Sequence, residues 1–564
     1  MPRSDSRFHG TAGSGPCRHA NIDFSPHRRA LTVTRGARYS STTPITVAEG
    51  VSVERVTPPS RLFGANGLRT GPDKRIYVAQ VAGSTISALD ITTGDIETIS
   101  AKGSDIIAPD DIAFDVDGNL IATEYMDARV SVRSPDGTSR VLRDDLPGAN
   151  GITVHNGRLF VNECRIGGRL MELPLDGSAP VVLQDNLPMP NAMEVGPDGL
   201  LYYPVMGTND IWRIDPNGGT PERVVGDLAG PDSVKFDAAG FIVSTQAGSG
   251  QVLRIDPRTG NREVLAQLAP GLDNCTFVDG RLFVSSFDGA ITEVLGGGDS
   301  KSVLPGGLLW PLDLTVGPDG TLYVADGTFF YQYRGGGELE VVASLFSLNS
   351  PGYVRGVVAT GVNEFVGATS TGQVVTYKHG PEPETGLIAD GFDQLYGIAV
   401  ASDGSIVTVD AGTGRALSVR GGQTEVLASG LQRPIGVAFS PDNAVLISES
   451  GAGRIVSVGA GGVDTVVDGL ETPHGILVRG NQLLIVDVGL KALIAVDLVT
   501  KARQTLASEL PVGVPEGVVA KPLKGTPPFS GPMGPFAGIT AGQDGTVYVS
   551  ADAEGSVLAV RIAA

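Results

Sequence analysis

Cysteine is scarce. The three present among 564 residues, Cys17, Cys164 and Cys275, lie far apart without CxxC spacing, which excludes a disulfide framework and a zinc knuckle. Positive charge is also short: 42 Lys and Arg against 62 Asp and Glu give a formal net charge of −20. Such a surface repels phosphate backbones and anionic lipid, so nucleic acid and membrane are not expected partners, whereas small molecules and cations are. No apolar run approaches the length of a membrane span, and stretches with a 3.6-residue period are few. GxSxG, P-loop, HExxH and Rossmann fingerprints are missing too, which removes the commonest motif-borne hydrolase and nucleotide-binding readings.

Glycine and proline are abundant instead. Gly 78 and Pro 37 punctuate short apolar runs, the pattern of many short strands joined by tight turns, so an all-β protein is expected. Residues 1–48 stand apart: they are rich in Arg and Ser, carry His9, His19 and His27, and contain few acids. This composition fits a disordered or organelle-transit segment. It lacks the apolar core of a secretory signal, and a cytoplasmic location is the expectation if it is not a transit segment.

From Asn66 onward the chain repeats. Units begin near residues 66, 110, 150, 191, 232, 273, 312, 355, 396, 435, 474 and 516. Each opens with a run such as GITV or SVKF, turns through a phrase like GPDG or SPDN, and enters a second strand such as LYVAD or LLIVD. Third and fourth strands follow, as in VLRID and REVLA. Four strands in about forty residues is the period of a β-propeller blade. Twelve units predict two consecutive six-bladed β-propellers, over residues 49–300 and 301–564. The last unit supplies only three strands, so its outer strand must come from elsewhere. KSVLPGG from Lys301 is assigned that place, and VSVERVT from Val51 is assigned to the sixth blade of the first ring. The insertion KPLKGTPPFSGPMGPF, from Lys521, reads as a loop over one face.

In a propeller the first strand of each blade lines the central channel, so the residue just ahead of it faces the axis. In the first half these slots hold Asn66, Asp110, Asn150, Asn191, Asp232 and Asp273, all amide or carboxylate oxygen donors. In the second half they hold Leu312, Arg355, Tyr396, Ile435, His474 and either Glu516 or Ala537. Asn and Asp also start strands simply by closing Asx turns, but that explanation predicts the same enrichment in both halves. A ring of clustered anionic oxygens points to a hard divalent cation, most readily Ca²⁺, with Mg²⁺ or Mn²⁺ as alternatives. Such an ion would polarise a carbonyl and acidify a water while an uncommitted carboxylate takes the proton. Asp232 is the first candidate for that base, with Asp110 and Asp273 as alternatives because metal coordination weakens a base. Gln80, Glu124, Glu163 and Gln246, at the ends of second strands, are expected to rim the same pocket, although each also reads as an ordinary turn-bonding polar residue.

ANG at Asn150, PNAM at Asn191 and PDSV at Asp232 resemble, in order and spacing, the Asn, Asn and Asp metal ligands of the regucalcin and gluconolactonase family of six-bladed propellers. The resemblance implies hydrolysis of lactones or related esters. It also implies a first-blade ligand, a Glu in the family, whose slot here holds Asn66. Asp273-Asn274 is similar to the Asp-Asn pair of paraoxonase-like lactonases. In the second half, PHGI at His474 with the strand-end acids Asp326, Asp410, Glu449 and Asp487 resembles phrases of virginiamycin B lyase, a propeller in which a His and acids act with Mg²⁺. His474, Arg355, Tyr396 and Glu516 therefore form a candidate second site. The remaining alternative is a binding scaffold without catalysis.

Overall fold

The computed structural model describes Arg38 and residues 44–563, apart from 348, 460, 516 and 528. Glu516 and nearly all of the Arg/Ser-rich segment thus lie outside the described residues. The remainder forms twelve antiparallel sheets, eleven of four strands and one of five. Consecutive strands fill each sheet from the axis outward. In half of the blades the first two strands are joined by an Asp-Gly turn: in GPDG, Gly199 sits at φ 79°, where a side chain would be strained. Asp198 accepts the Leu200 amide at 3.1 Å and the Tyr202 hydroxyl at 2.8 Å.

A single blade has two apolar faces and buries them only against its neighbours. In the first ring six apolar seams run around the circle, the last joining Leu68, Ile76 and Val78 of blade 1 to Phe283 and Ile291 of blade 6. In the second ring the closing seam joins Leu314 and Val324 of blade 7 to Val557 of blade 12. The innermost strands of the first and last blades touch in both rings. The chain is therefore two closed six-bladed β-propellers. A separate cluster, with Ile107, Met126, Trp310, Tyr353, Leu523 and Phe536, packs the two rings against each other.

The closing strands are exchanged relative to the expectation. Asp299–Leu304, which contains the start of KSVLPGG, pairs with Ile291–Gly296 and completes blade 6 of the first ring. Val51–Arg55 pairs instead with Ser556–Ile562, from Val51 opposite Ile562 to Arg55 opposite Leu558, and completes the last blade of the second ring. Thr46–Val47 adds a fifth strand to the sheet before it. The reason is local. Gly296, Gly297 and Gly298 all have positive φ and turn the chain straight back, so blade 6 closes with a short hairpin at low entropic cost. Only the last blade then lacks an outer strand.

Candidate active site

Four of the six axial residues of the first ring are fixed by a side chain of the blade before them. Thr123 Oγ1 donates to the Asn150 carbonyl at 2.6 Å, Asn162 Nδ2 to that of Asn191 at 2.6 Å, and Ser285 Oγ to that of Asn66 at 2.7 Å. Thr245 Oγ1 makes the equivalent bond to Asp273. The residue after the slot approaches its neighbour's backbone closely: a Cβ on Gly67 would stand 2.5 Å from the Asp110 carbonyl oxygen. That contact accounts for the glycine in ANG and in PHG, where Gly475 meets the Ala537 carbonyl in the same way.

These supports bring Asn66, Asp110, Asn150, Asn191, Asp232 and Asp273 to the wall of one cavity of about 140 Å³. All six are buried. Asn66 Nδ2 donates to Asp273 Oδ2 at 3.1 Å and Asn150 Nδ2 to Asp110 Oδ2 at 2.5 Å. The Asp232 carboxylate accepts no hydrogen bond among the described residues. Burial, with the neighbouring Asp111, pushes Asp110 up to about 8. Burial raises Asp232 and Asp273 well above the usual carboxylate range, and the other aspartates of the ring add to it.

The cavity has a floor and a roof. Toward the far end of the channel, Arg69 pairs with Glu194 at 3.0 Å and Lys235 with Glu194 at 3.2 Å. This ion cluster, three positions after the slots of blades 1, 4 and 5, spans the channel, with Lys235 buried and Arg69 and Glu194 half-buried. Sequence reasoning missed it, although charges inside otherwise apolar inner strands were its signal. On the other side, Leu345, Phe346 and Tyr353 of the second ring and Phe529 and Met533 of the proline-rich insertion cover the mouth. The insertion is anchored by Lys524, 2.8 Å from Asp127, and by the Pro532 carbonyl, which accepts from Arg355 Nη2.

Gln80, Glu124, Glu163 and Gln246 do not line the cavity, which corrects the expectation for them. Gln80 Oε1 accepts the Phe63 amide at 2.8 Å, Gln246 Oε1 the Ala229 amide at 3.0 Å, and Glu124 the Ile107 amide. Glu163 pairs with Arg165 and Arg169. Alternation along the strand is the cause: Thr123, Asn162 and Thr245 reach the next axial residue, and the following side chain turns to the preceding loop. In the second ring Asp326, Asp410, Glu449 and Asp487 make the same backbone bonds, to Leu309, Asp393, Gln432 and Glu471.

The axis of the second ring carries different chemistry. Gly538 N donates to Leu312 O just as Gly67 N does to Asp110 O, which makes Ala537 the sixth slot residue. Arg355 is fully buried, donates from Nη1 to the Leu395 carbonyl at 3.0 Å, and lies 4.2 Å above the Tyr396 ring. His474 Nδ1 accepts the Ala537 amide at 3.3 Å, and burial beside Arg433 pushes its pKa down to about 3.

The donor set of the first ring suits a hard divalent cation: oxygens only, with three carboxylates whose repulsion a cation would offset. Among the described residues no three carboxylate, imidazole or thiol groups gather as a metal centre, so ligation would draw on amide oxygens beside Asp232. Asn150 and Asn191, on the two preceding blades, are placed to supply them, Asn191 Oδ1 already accepting the Ala192 amide at 2.7 Å.

Fold and cavity thus define a β-propeller protein with an oxygen-lined axial site. Residues 45–288, which span most of the first ring, match the family model of the SMP-30/gluconolactonase/LRE-like region. Among solved structures, a streptogramin B lyase is 19% identical over 49% of this chain and 96% of its own, with a TM-score of 0.37. A gluconolactonase from Xanthomonas campestris is 16% identical over 45% and 97%, with a TM-score of 0.36. A calcium-binding regucalcin from Agrobacterium tumefaciens is 21% identical over 40% and 82%, with a TM-score of 0.34. A search of curated proteins finds no match.

Proposed function

We propose that the first ring is a divalent-cation-dependent hydrolase of a lactone or related ester. The observation that carries this is the convergence of three buried aspartates and three asparagines on one cavity closed at its far end. Asp232, Asn150 and Asn191 would hold the ion, Ca²⁺ in the first instance, with Asn66 as a further amide in the ring. Bound there, the ion would polarise an ester carbonyl and lower the pKa of a water. Asp110 is the proton acceptor, a carboxylate on the same cavity that is not among the proposed ligands, and Asn150 orients it through its Nδ2. Asp273, held by Asn66, is its alternate. The ion cluster below and the apolar roof above exclude bulk water from the reacting groups.

Size limits the substrate. A cavity of about 150 Å³ takes a benzene-sized molecule, so a single-ring lactone fits while longer acyl chains require the insertion to move. The second ring offers less to a lyase, because its strand-end acids are bound to backbone amides.

The test is metal analysis of purified protein, with a panel of monocyclic lactones assayed with and without chelator in ¹⁸O-labelled water. Turnover that needs the ion, places label in the product acid, and falls at least about 100-fold in Asp232→Asn supports the reading. Unlabelled product with a new double bond, sensitive to His474→Ala, would establish the lyase instead. Ligand binding with no turnover would leave a scaffold.

A further inference from the structure

A second cavity, of about 970 Å³, lies at the mouth of the second ring on the other side of the insertion. Met533 lines both cavities, so one stretch of chain separates them. Their linings are opposite in charge. The first presents three aspartates and no Lys or Arg. The second presents Lys102, Arg433, Lys491 and Lys521 against Asp552, Glu471 and Glu509, a basic excess in a protein of net charge −20.

Lys102 is the decisive group. It reaches this wall from the first ring, and its ammonium lies 5.0 Å from the Phe63 ring centre and 5.2 Å from that of Trp310. Among the described residues it makes no hydrogen bond and no ion pair. Arg38 stacks on the same Phe63 at 3.6 Å, which adds a second positive charge nearby. Asp552, whose charge acts on Lys102, already accepts the Gly513 amide at 2.8 Å. Burial and the Arg38 charge lower the Lys102 pKa to about 8, against the opposing pull of Asp552. Lys491 is different, since its ammonium is held by the Val512 and Val514 carbonyls at 2.9 and 2.7 Å. His474, whose Nδ1 accepts a backbone amide, carries its ring proton on Nε2 and can donate it. Trp310, Tyr396 and Phe63 add aromatic surface.

We propose that this second cavity is a binding site for a small organic monoanion, a carboxylate on an apolar or aromatic body. The carboxylate meets Lys102, with Arg433 and the His474 Nε2–H as further donors, and the body packs on Trp310 and Tyr396. A single unpaired ammonium between aromatic rings suits a monoanion with an apolar body better than a phosphate, which favours several convergent donors. The proposal does not depend on the chemistry of the first ring.

The protein has two tryptophans, Trp212 and Trp310, so Trp212→Phe leaves Trp310 as a fluorescent reporter on the cavity wall. Three probes share one body and differ in the head: 4-phenylbutyrate, 4-phenylbutan-1-ol and 4-phenylbutylamine. The acid is expected to change Trp310 emission saturably and to bind at least about tenfold more tightly than the alcohol, with the amine weaker still. Lys102→Met should abolish that preference, Lys102→Arg should keep it, and Arg433→Gln, at an exposed position, should reduce it several-fold. Asp232→Asn should leave it unchanged, so a failed first-ring hypothesis does not touch this result. Equal affinities for acid and alcohol, an undiminished preference in both Lys102→Met and Arg433→Gln, or no saturable response to the acid at millimolar concentration would each overturn the proposal. If Lys102→Met does not fold, the Arg433→Gln comparison decides alone.

Discussion

Replacing Val51 and Val53 with aspartate tests the exchanged closure most directly. The strand Val51–Arg55 meets Ser556–Ile562 over five residue pairs. At roughly 1 kcal/mol net for each of about four or five backbone hydrogen bonds, the pairing contributes about 4–5 kcal/mol. Val51 and Val53 also pack against the cluster containing Val549, Leu558 and Val560, and half-burying each adds about 1 kcal/mol. The double substitution removes that packing and sets two charges on an apolar face, so a loss of about 4–6 kcal/mol is expected, within reach of the ~5–15 kcal/mol that holds a domain folded. Hydrogen exchange followed by mass spectrometry reads it strand by strand. Ser556–Ile562 and its neighbour Val547–Ala551 should lose protection, while Ile291–Gly296 and Asp299–Leu304 in the first ring keep theirs. Loss of protection at Ile291–Gly296 instead, or no change at Ser556–Ile562, would refute the assignment of this strand to the second ring.

Two further outcomes follow from buried groups. Glu124→Ala leaves the Ile107 amide and Arg129 without the carboxylate they share, so urea melts should show a loss of about 2–4 kcal/mol with substrate KM unchanged; a raised KM at unchanged stability would return Glu124 to the pocket. His474 is neutral in the folded state down to about pH 3, while the unfolded chain takes up a proton below about 6.5, so its contribution to stability is present above pH 6.5 and lost as pH falls toward 3. By pH 4.5 the loss is about 2–3 kcal/mol, and His474→Asn, whose amide oxygen can still accept the Ala537 N–H, should flatten this part of the stability curve; equal pH dependence in variant and parent would contradict the buried neutral imidazole.

The blades were legible because each depends on short-range signals, the Asp-Gly turn and the alternating strand, repeated often enough to count. Ring closure was not, because VSVERVT and KSVLPGG are equally good outer strands, and only the consecutive left-handed glycines at 296–298 decide which one folds back at once. The axial oxygens were legible as a pattern present in one half and missing from the other. The strand-end residues were misplaced by a single position: Thr123 and Glu124 are adjacent, and a pleated strand sends them to different neighbours. Sequence also marked the insertion as a loop, but the face it covers follows from long-range contacts, Lys524 with Asp127 and Arg355 with Pro532, which no local pattern encodes.

The pairing of Val51–Arg55 with Ser556–Ile562 also sets an order of events during synthesis. The first ring has all its strands once Leu304 has left the ribosome, and its six seams can close while the rest is still being made. The second cannot close until its final strand emerges about 500 residues after the one that completes it. At ~5–20 residues per second that interval is about 25–100 s, during which Val51–Arg55 is a strand without its partner, ahead of a domain already folded. Anything that holds or hides this segment over that time, a chaperone or the early part of the chain itself, would govern the yield of the second ring without affecting the first.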